Sequence, residues 1–208
     1  TAQIRGCQCR RCSAFFYTCS FNKIFSRNFS VSTFKTITAL AALESGYQSG
    51  TIYDCEGVFR LGTMRLRCWG GIPHGPLTLE SAIEKSCNAF FCHLGHEIGY
   101  EHIRKCAAQA GLGSKTGVDM PYERAGSLPD PMWKRRHRNQ TWTPGDTCQT
   151  SIGQGMLLAT PLQMANLAAT IANRGYYYIP HVVKKIEGRD SIDRRFYERH
   201  TTLIDRKH

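Results

Sequence analysis

Phe29-Ser30-Val31-Ser32-Thr33-Phe34-Lys35-Thr36-Ile37-Thr38-Ala39-Leu40 sets a serine three residues before a lysine, at what reads as the first turn of an apolar helix. Positions i and i+3 share one helical face, so the Ser32 hydroxyl and the Lys35 amine would stand side by side. A serine nucleophile needs such a neighbour. A hydroxyl is weak at its free pKa, an amine kept neutral by burial takes its proton, and helix N-terminal amides favour the developing negative charge. The competing reading is an N-cap serine followed by a solvated lysine, and four residues alone do not separate the two.

Working outward, the apolar spacing through Phe34, Ile37, Leu40 and Ala41 predicts a helix that stops at Gly46. Between Thr51 and Trp69, short runs bounded by glycine predict a small β-ribbon flanked by Cys55 and Cys68. A loop from Gly70 to Pro76 then leads into a helix capped by Thr78 that runs from Leu79 to about Lys85. The next helix follows Asn88, with Phe91, Leu94 and Ile98 on one face, and another spans Tyr100 to Ala110 and closes at Gly111. Residues 111–159 read as loop. Thr160-Pro161-Leu162-Gln163 is a capping box with proline at the first helical position, opening a helix to Gly175. Tyr176-Tyr177-Tyr178-Ile179 and His181-Val182-Val183 read as strand, broken by Pro180.

The chain has 208 residues, 41% of them apolar, enough for one sizeable domain with its own core. No stretch approaches the roughly 18 to 20 uninterrupted apolar residues of a spanning helix, so any membrane anchor is expected to lie outside this sequence. The net charge of +11 raises the question of nucleic acid. Residues 1–28 hold Arg5, Arg10, Arg11, Lys23 and Arg27 with no acid, and the central basic run is Lys134-Arg135-Arg136-His137-Arg138. No RNP-type aromatic pattern or basic recognition helix accompanies that run, which reads as a solvated basic loop or an attraction to anionic lipid heads. Nucleic acid is therefore not expected as a partner. The segment 1–28, with Cys7, Cys9, Cys12 and Cys19, lacks any helical or strand period and reads as an atypical tail foreign to the domain, zinc binding being the other reading. The domain proper is placed at 29–208.

A second informative triplet, Ser86-Cys87-Asn88, falls at a helix-to-helix junction. Serine and asparagine at i and i+2 on a tight connection can project into one cleft, a hydroxyl to relay a proton and an amide to hold a lysine or a substrate carbonyl. They would equally serve as a C-cap and N-cap pair. S-x-x-K followed by S-x-N is shared with the penicillin-binding proteins and the serine β-lactamases. Further motifs follow in order: Gly71-Ile72-Pro73-His74-Gly75-Pro76-Leu77, Gly111-Leu112-Gly113, Thr116-Gly117-Val118-Asp119-Met120-Pro121, Trp142-Thr143-Pro144-Gly145-Asp146 and Ser151-Ile152-Gly153-Gln154-Gly155. With them, the run from Ser32 to Gly175 resembles the transpeptidase domain of the elongation-type class B penicillin-binding proteins, the penicillin-binding protein 2 group.

That resemblance implies an α/β fold of the penicillin-binding protein transpeptidase and serine β-lactamase type, helices around an antiparallel sheet, of which this chain holds mostly the helical part. It implies a D,D-transpeptidase that cross-links peptidoglycan stem peptides during cell-wall elongation and is acylated by β-lactams. Ser32 would be the nucleophile, Lys35 the base, Ser86 the proton relay and Asn88 the orienting amide. No cofactor is implied for catalysis. The implied partner is a membrane-embedded glycosyltransferase of the elongation machinery, and the implied location is the bacterial inner membrane with the catalytic domain in the periplasm. A β-lactamase or β-lactam sensor on the same scaffold is an alternative, as is a catalytically inactive zinc-containing interaction module.

The sequence departs from the family in three places. Its third motif, Lys-Thr/Ser-Gly on an edge strand, is expected beyond the Gly175 helix, so the chain is expected to be truncated; Lys115-Thr116-Gly117 has the right letters in the wrong context. Relatives place Tyr-Pro-Pro-Gly before the nucleophile, whereas this chain has Asn28-Phe29-Ser30-Val31. Finally, Cys55, Cys68, His74 and Cys87 form a Cys3His set suited to tetrahedral zinc, and some relatives carry a metal in this region; a Cys55–Cys68 disulfide is the competing reading. Cys92, Cys106 and Cys148 read as plain buried cysteines.

Overall fold

The structure, a computed structural model, describes residues 28–29, 32–188, 192–202 and 204. The tail expected over residues 1–28 lies, but for Asn28, outside them, as do its four cysteines.

The apolar residues after Ser32 form a 3-10 turn, Ser32–Phe34, that runs directly into helix α1, Lys35–Glu44. Ala39 and Ala42 of α1 face one hydrophobic cluster, while Phe34, Ile37 and Ala41 of the same stretch face a second. A helix apolar all round is a buried helix, and α1 is the wall between two cores. The first core packs strands β2 (Tyr53–Cys55), β3 (Val58–Leu61), β4 (Met64–Arg67) and β5 (Gly75–Leu77) with helices α2 (Leu79–Glu84) and α3 (Asn88–Ile98), through Phe59, Leu77, Phe90, Phe91 and Leu94. The second joins α1 to α4 (Tyr100–Gln109) through Ile103, Cys106 and Ala107, with Leu112, Leu157 and Leu167.

The ribbon is more divided than its sequence suggests. β3 pairs with β4, while β2 pairs with β5, Cys55 opposite Gly75, inside the stretch expected to be loop. Gly57 explains the break: it takes φ +83°, and a Cβ there would lie 2.5 Å from the Gly71 carbonyl oxygen, so the chain turns back against its own downstream loop. β2 and β3 are thus neighbours in sequence but belong to different sheets. Among the described residues the sheets are all two-stranded, as expected of the mostly helical part of the fold, and an isolated antiparallel bridge joins Ser127 to Leu158.

Residues 111–159 contain two helices rather than loop throughout. α5 (Pro131–Arg138) is capped by Asp130, whose carboxylate accepts from Trp133 N, and α6 (Pro144–Ser151) opens on a Thr143/Asp146 capping box with Pro144 at its start. Short length and a low apolar content hid both, although their caps are written in the sequence. The basic run accordingly lies on a helix, not a loop, and its first member is not solvated: Lys134 is buried and donates to Asp146 Oδ2 at 2.6 Å. α6 crosses α3 closely at Gly95, where a Cβ would come within 2.4 Å of Ser151 Cβ. The chain continues through β6 (Leu158–Ala159), which pairs with β1 (Asn28–Phe29), and α7 (Pro161–Ala172), shorter than its predicted end at Gly175. Among the described residues, of the expected C-terminal strands only Tyr176–Tyr177 (β7) is paired, with β8 (His200–Thr201).

Candidate active site

Two neighbouring clusters meet at the connection between α2 and α3. The first surrounds Lys35. A 3-10 turn has three residues per turn, so side chains at i and i+3 eclipse, and Ser32 and Lys35 line up where the turn becomes α1. Ser32 is exposed, whereas the whole of Lys35 is only 3% exposed. Lys35 Nζ lies 3.2 Å from Ser32 Oγ, 2.9 Å from Ser86 Oγ, 2.8 Å from Ser86 O and 2.7 Å from Asn88 Oδ1. All four residues singled out in the sequence therefore converge on one nitrogen.

The chemistry of those partners decides what the amine can do. Ser86 O and Asn88 Oδ1 only accept, so they take two N–H groups. The other two partners are hydroxyls, which donate or accept. A neutral amine has two N–H groups and one lone pair, and this set can satisfy it once one hydroxyl turns its proton toward the lone pair. Burial pushes the Lys35 amine below its ordinary value, the largest influence on it. The nearby sulfurs of Cys87 and Cys92 would pull it back as thiolates, but both thiols are themselves pushed up, Cys87 mainly by burial and Cys92 by its bond with Cys148 and by burial. As long as they stay protonated they give Lys35 little compensation.

The junction itself is built to aim these groups. α2 ends at a Lys85 C-cap, and Ser86 then adopts φ 48°, unusual for a non-glycine residue. That twist presents both the hydroxyl and the carbonyl of Ser86 to Lys35. Asn88, the first residue of α3, is fixed from its other end: Nδ2 donates to the Arg67 carbonyl of β4 at 3.1 Å. This support was invisible in the sequence, since nothing local to Asn88 announces a strand 21 residues upstream. Thr38 Oγ1, one turn beyond Lys35, donates to Ser151 O at 2.7 Å and ties α1 to α6.

The second cluster is the cysteine set. Cys55 Sγ lies 3.7 Å from Cys68 Sγ, 3.4 Å from Cys87 Sγ and 3.6 Å from His74 Nδ1, and Cys68 Sγ lies 3.6 Å from Cys87 Sγ. The four ligand atoms fall within 4.8 Å of one another, and the three cysteines are buried. With Zn–S of about 2.3 Å and Zn–N of about 2.0 Å, a tetrahedral site has edges of roughly 3.5 to 3.8 Å, so the residues fit the ion. A Cys55–Cys68 disulfide would use two sulfurs of a near-equilateral triangle and leave Cys87 over. Burial works against ionising Cys55, but bonds from the His74 and Gly57 backbones and from the neighbouring thiols outweigh it and bring the group down overall. Cys87 also caps α3, its Sγ accepting from Phe90 N. The two clusters are thus one connected object, because Cys87 sits between Ser86 and Asn88.

Lys115-Thr116-Gly117 is a structural feature. The Thr116 N–H and hydroxyl both donate to Glu123 Oε1, and the Gly117 N–H donates to Glu123 Oε2. These groups are spent on bracing a loop. Cys92, Cys106 and Cys148 are buried as expected.

A hydroxyl and a buried amine shared with a Ser-x-Asn junction, on a helix between two cores, are the S-x-x-K and S-x-N arrangement of the penicillin-recognising class of proteins. The chain matches the penicillin binding protein transpeptidase domain over residues 20–205, and it belongs to that family. It is 38% identical over 160 residues to the peptidoglycan D,D-transpeptidase MrdA of Acinetobacter baumannii, covering 76% of this chain and 24% of that relative, and 32% identical over 156 residues to MrdA of Escherichia coli, covering 73% and 24%. It therefore spans about a quarter of the length of these curated relatives. Among solved structures, Pseudomonas aeruginosa PBP2 in complex with WCK 5153 superposes with a TM-score of 0.79 at 31% identity, covering 89% of this chain and 43% of that one. Helicobacter pylori PBP2 in complex with MreC gives a TM-score of 0.77 at 32% identity, covering 85% and 33%.

Proposed function

We propose that the chain carries the acylation half-site of a peptidoglycan D,D-transpeptidase. The observation that carries this reading is the 3.2 Å approach of Ser32 Oγ to a buried Lys35 amine held by Ser86 and Asn88. Ser32 Oγ attacks the carbonyl carbon of the penultimate D-Ala of a stem peptide while its proton passes to Lys35 Nζ. The Ser32 N–H would face the developing oxyanion, with a second amide from a later strand of the complete fold. Collapse breaks the C–N bond, the terminal D-Ala leaves as an amine after receiving a proton through Ser86, and an ester to Ser32 remains. The amine of a neighbouring stem peptide then attacks the ester, loses a proton and restores the Ser32 hydroxyl. A β-lactam opens on the same oxygen.

Cys55, Cys68, His74 and Cys87 would hold a zinc ion. With four protein ligands the site is closed, so the ion's contribution would be structural, tying the ribbon to the Ser86–Asn88 connection. The likeness to the peptidoglycan D,D-transpeptidases MrdA supports a role in peptidoglycan cross-linking, and we read the domain as one that works on the wall during elongation, in the periplasm at the inner membrane. The relatives seen with MreC and in a peptidoglycan synthase complex coordinating polymerization and crosslinking support a membrane-embedded glycosyltransferase as partner.

The test is covalent labelling with a fluorescent penicillin, resolved under denaturing conditions. A long-lived adduct on the protein that Ser32→Ala abolishes is expected; a folded wild-type protein that takes no label, or a label undiminished in Ser32→Ala, overturns the reading.

A further inference from the structure

The β3–β4 hairpin carries a charge arrangement that folding alone disfavours. Strand residues alternate between faces, and Phe59 is buried while Arg60, Arg65 and Arg67 are exposed. In the register of the pair, Arg60 stands directly opposite Arg65, and Arg67 opposite Val58. Like charges directly opposite each other on a sheet are destabilising. Among the described residues, the ion pairs join His93 to Glu97, Arg104 to Glu101, Lys134 to Asp146 and Arg195 to Asp193, so none relieves these three arginines. All three line one cavity of about 310 Å³ with Gly57, Val58, Gly70 and Gly71, and no acidic side chain joins them. The glycines bring no side chain to the cavity wall, and all three hold the positive φ that favours glycine. Trp69, beside Gly70, is 92% exposed.

The cavity is coupled to the reacting groups through one short path. Arg67 lends its carbonyl to Asn88, and Asn88 Oδ1 accepts from Lys35, so the arginine strand lies two hydrogen bonds from the acylation amine. Guanidinium forks match carboxylates bidentately. We propose that Arg60, Arg65 and Arg67 form a carboxylate-binding subsite for an acidic peptide chain, engaging carboxylates of the peptide other than those at its reacting end. The inference rests on the D,D-transpeptidase reading for the identity of the peptide. The repulsion between Arg60 and Arg65 is released when a carboxylate sits between them.

The experiment uses fluorescence anisotropy with two labelled peptides ending in D-Ala-D-Ala, one carrying glutamate side chains and its twin carrying glutamine. The wild-type chain binds the glutamate peptide about tenfold more tightly at low salt, the size of a hydrogen bond to a charged group. Arg60→Gln/Arg65→Gln binds the two peptides alike, Arg60→Lys/Arg65→Lys keeps part of the preference, and fluorescent penicillin still labels both variants at the wild-type rate. Equal binding of the two peptides by wild-type protein overturns the subsite, as does a preference that survives in the double glutamine variant. If penicillin fails to label the wild type while the carboxylate preference is present and lost in the variant, the transpeptidase reading fails and the anion site stands. Should the double variant not fold, Arg65→Gln alone, which removes the like-charge pair, must halve the preference or more; an unchanged preference there overturns the subsite as well.

Discussion

Lys35 is useful only when neutral, and its surroundings work toward that state. Burial lowers its proton affinity, and a protonated amine cannot take the Ser32 proton. Acylation should therefore rise with pH up to the lowered value and level off there, earlier than for an ordinary lysine near about 10.4. Stopped-flow labelling across pH measures this, and a rate independent of pH between 6 and about 10 would contradict it. Lys35→Arg fixes the charge and should slow acylation by about 10³-fold, within the span of general-base catalysis. Asn88→Ala removes the 2.7 Å acceptor on the amine and should cost about 10²-fold while leaving the fold intact, since the side chain bridges to Arg67 from the edge of the cleft. Spacing singled these residues out, S-x-x-K on a turn and S-x-N at a junction, but their roles were legible only through the family resemblance that the longer downstream motifs carry. Their supports were not. The positive φ of Ser86 and the carbonyl of Arg67 follow from how the ribbon docks, a contact between distant segments that no local pattern encodes.

At the scale of elements, α3 and α6 cross closely at Gly95 and Ser151, and Thr38 ties the same end of α6 to α1. Gly95→Ala would drive a methyl to within 2.4 Å of Ser151 Cβ. Overpacking of this kind costs about 1 to 3 kcal/mol, to be read as a drop in the midpoint of urea unfolding. The Lys134–Asp146 pair makes a different prediction. Burial would raise the Asp146 carboxyl, but Lys134 and Thr143 hold it below its ordinary value, so the native state prefers it ionised. Its contribution is present above the unfolded value near 3.8 and is lost as pH falls through the lower folded value. Asp146→Ala leaves Lys134 buried without its partner, at a cost of about 3 kcal/mol near neutral pH, and should flatten the acid limb of the stability curve. An unchanged acid limb would refute the assignment. Helices with strong apolar spacing, such as α1 and α3, were visible in the sequence. α5 and α6 were not, because their apolar stripes are thin and their caps alone carried the signal.

For the whole molecule, the Cys3His cluster proposed to hold zinc and the Lys35 cluster proposed for acylation share the backbone of Ser86-Cys87-Asn88, so loss of one should be felt in the other. Chelation of the purified protein is expected to lower its melting temperature and to slow penicillin labelling, and zinc to restore both; full activity with no bound metal would separate the clusters. The ligand set was readable as residue types, and its assembly depended on β2 pairing with β5, which brings His74 back beside Cys55. The central claim is narrower, that Ser32 is the acylated atom's residue. Cleavage after Arg27 and Lys35 releases the peptide from Asn28 to Lys35, which holds Ser30 and Ser32. Tandem mass spectrometry of penicillin-treated protein should place the adduct on Ser32. An adduct on Ser30 or Ser86, or an unmodified Ser32 in folded protein, would contradict the account.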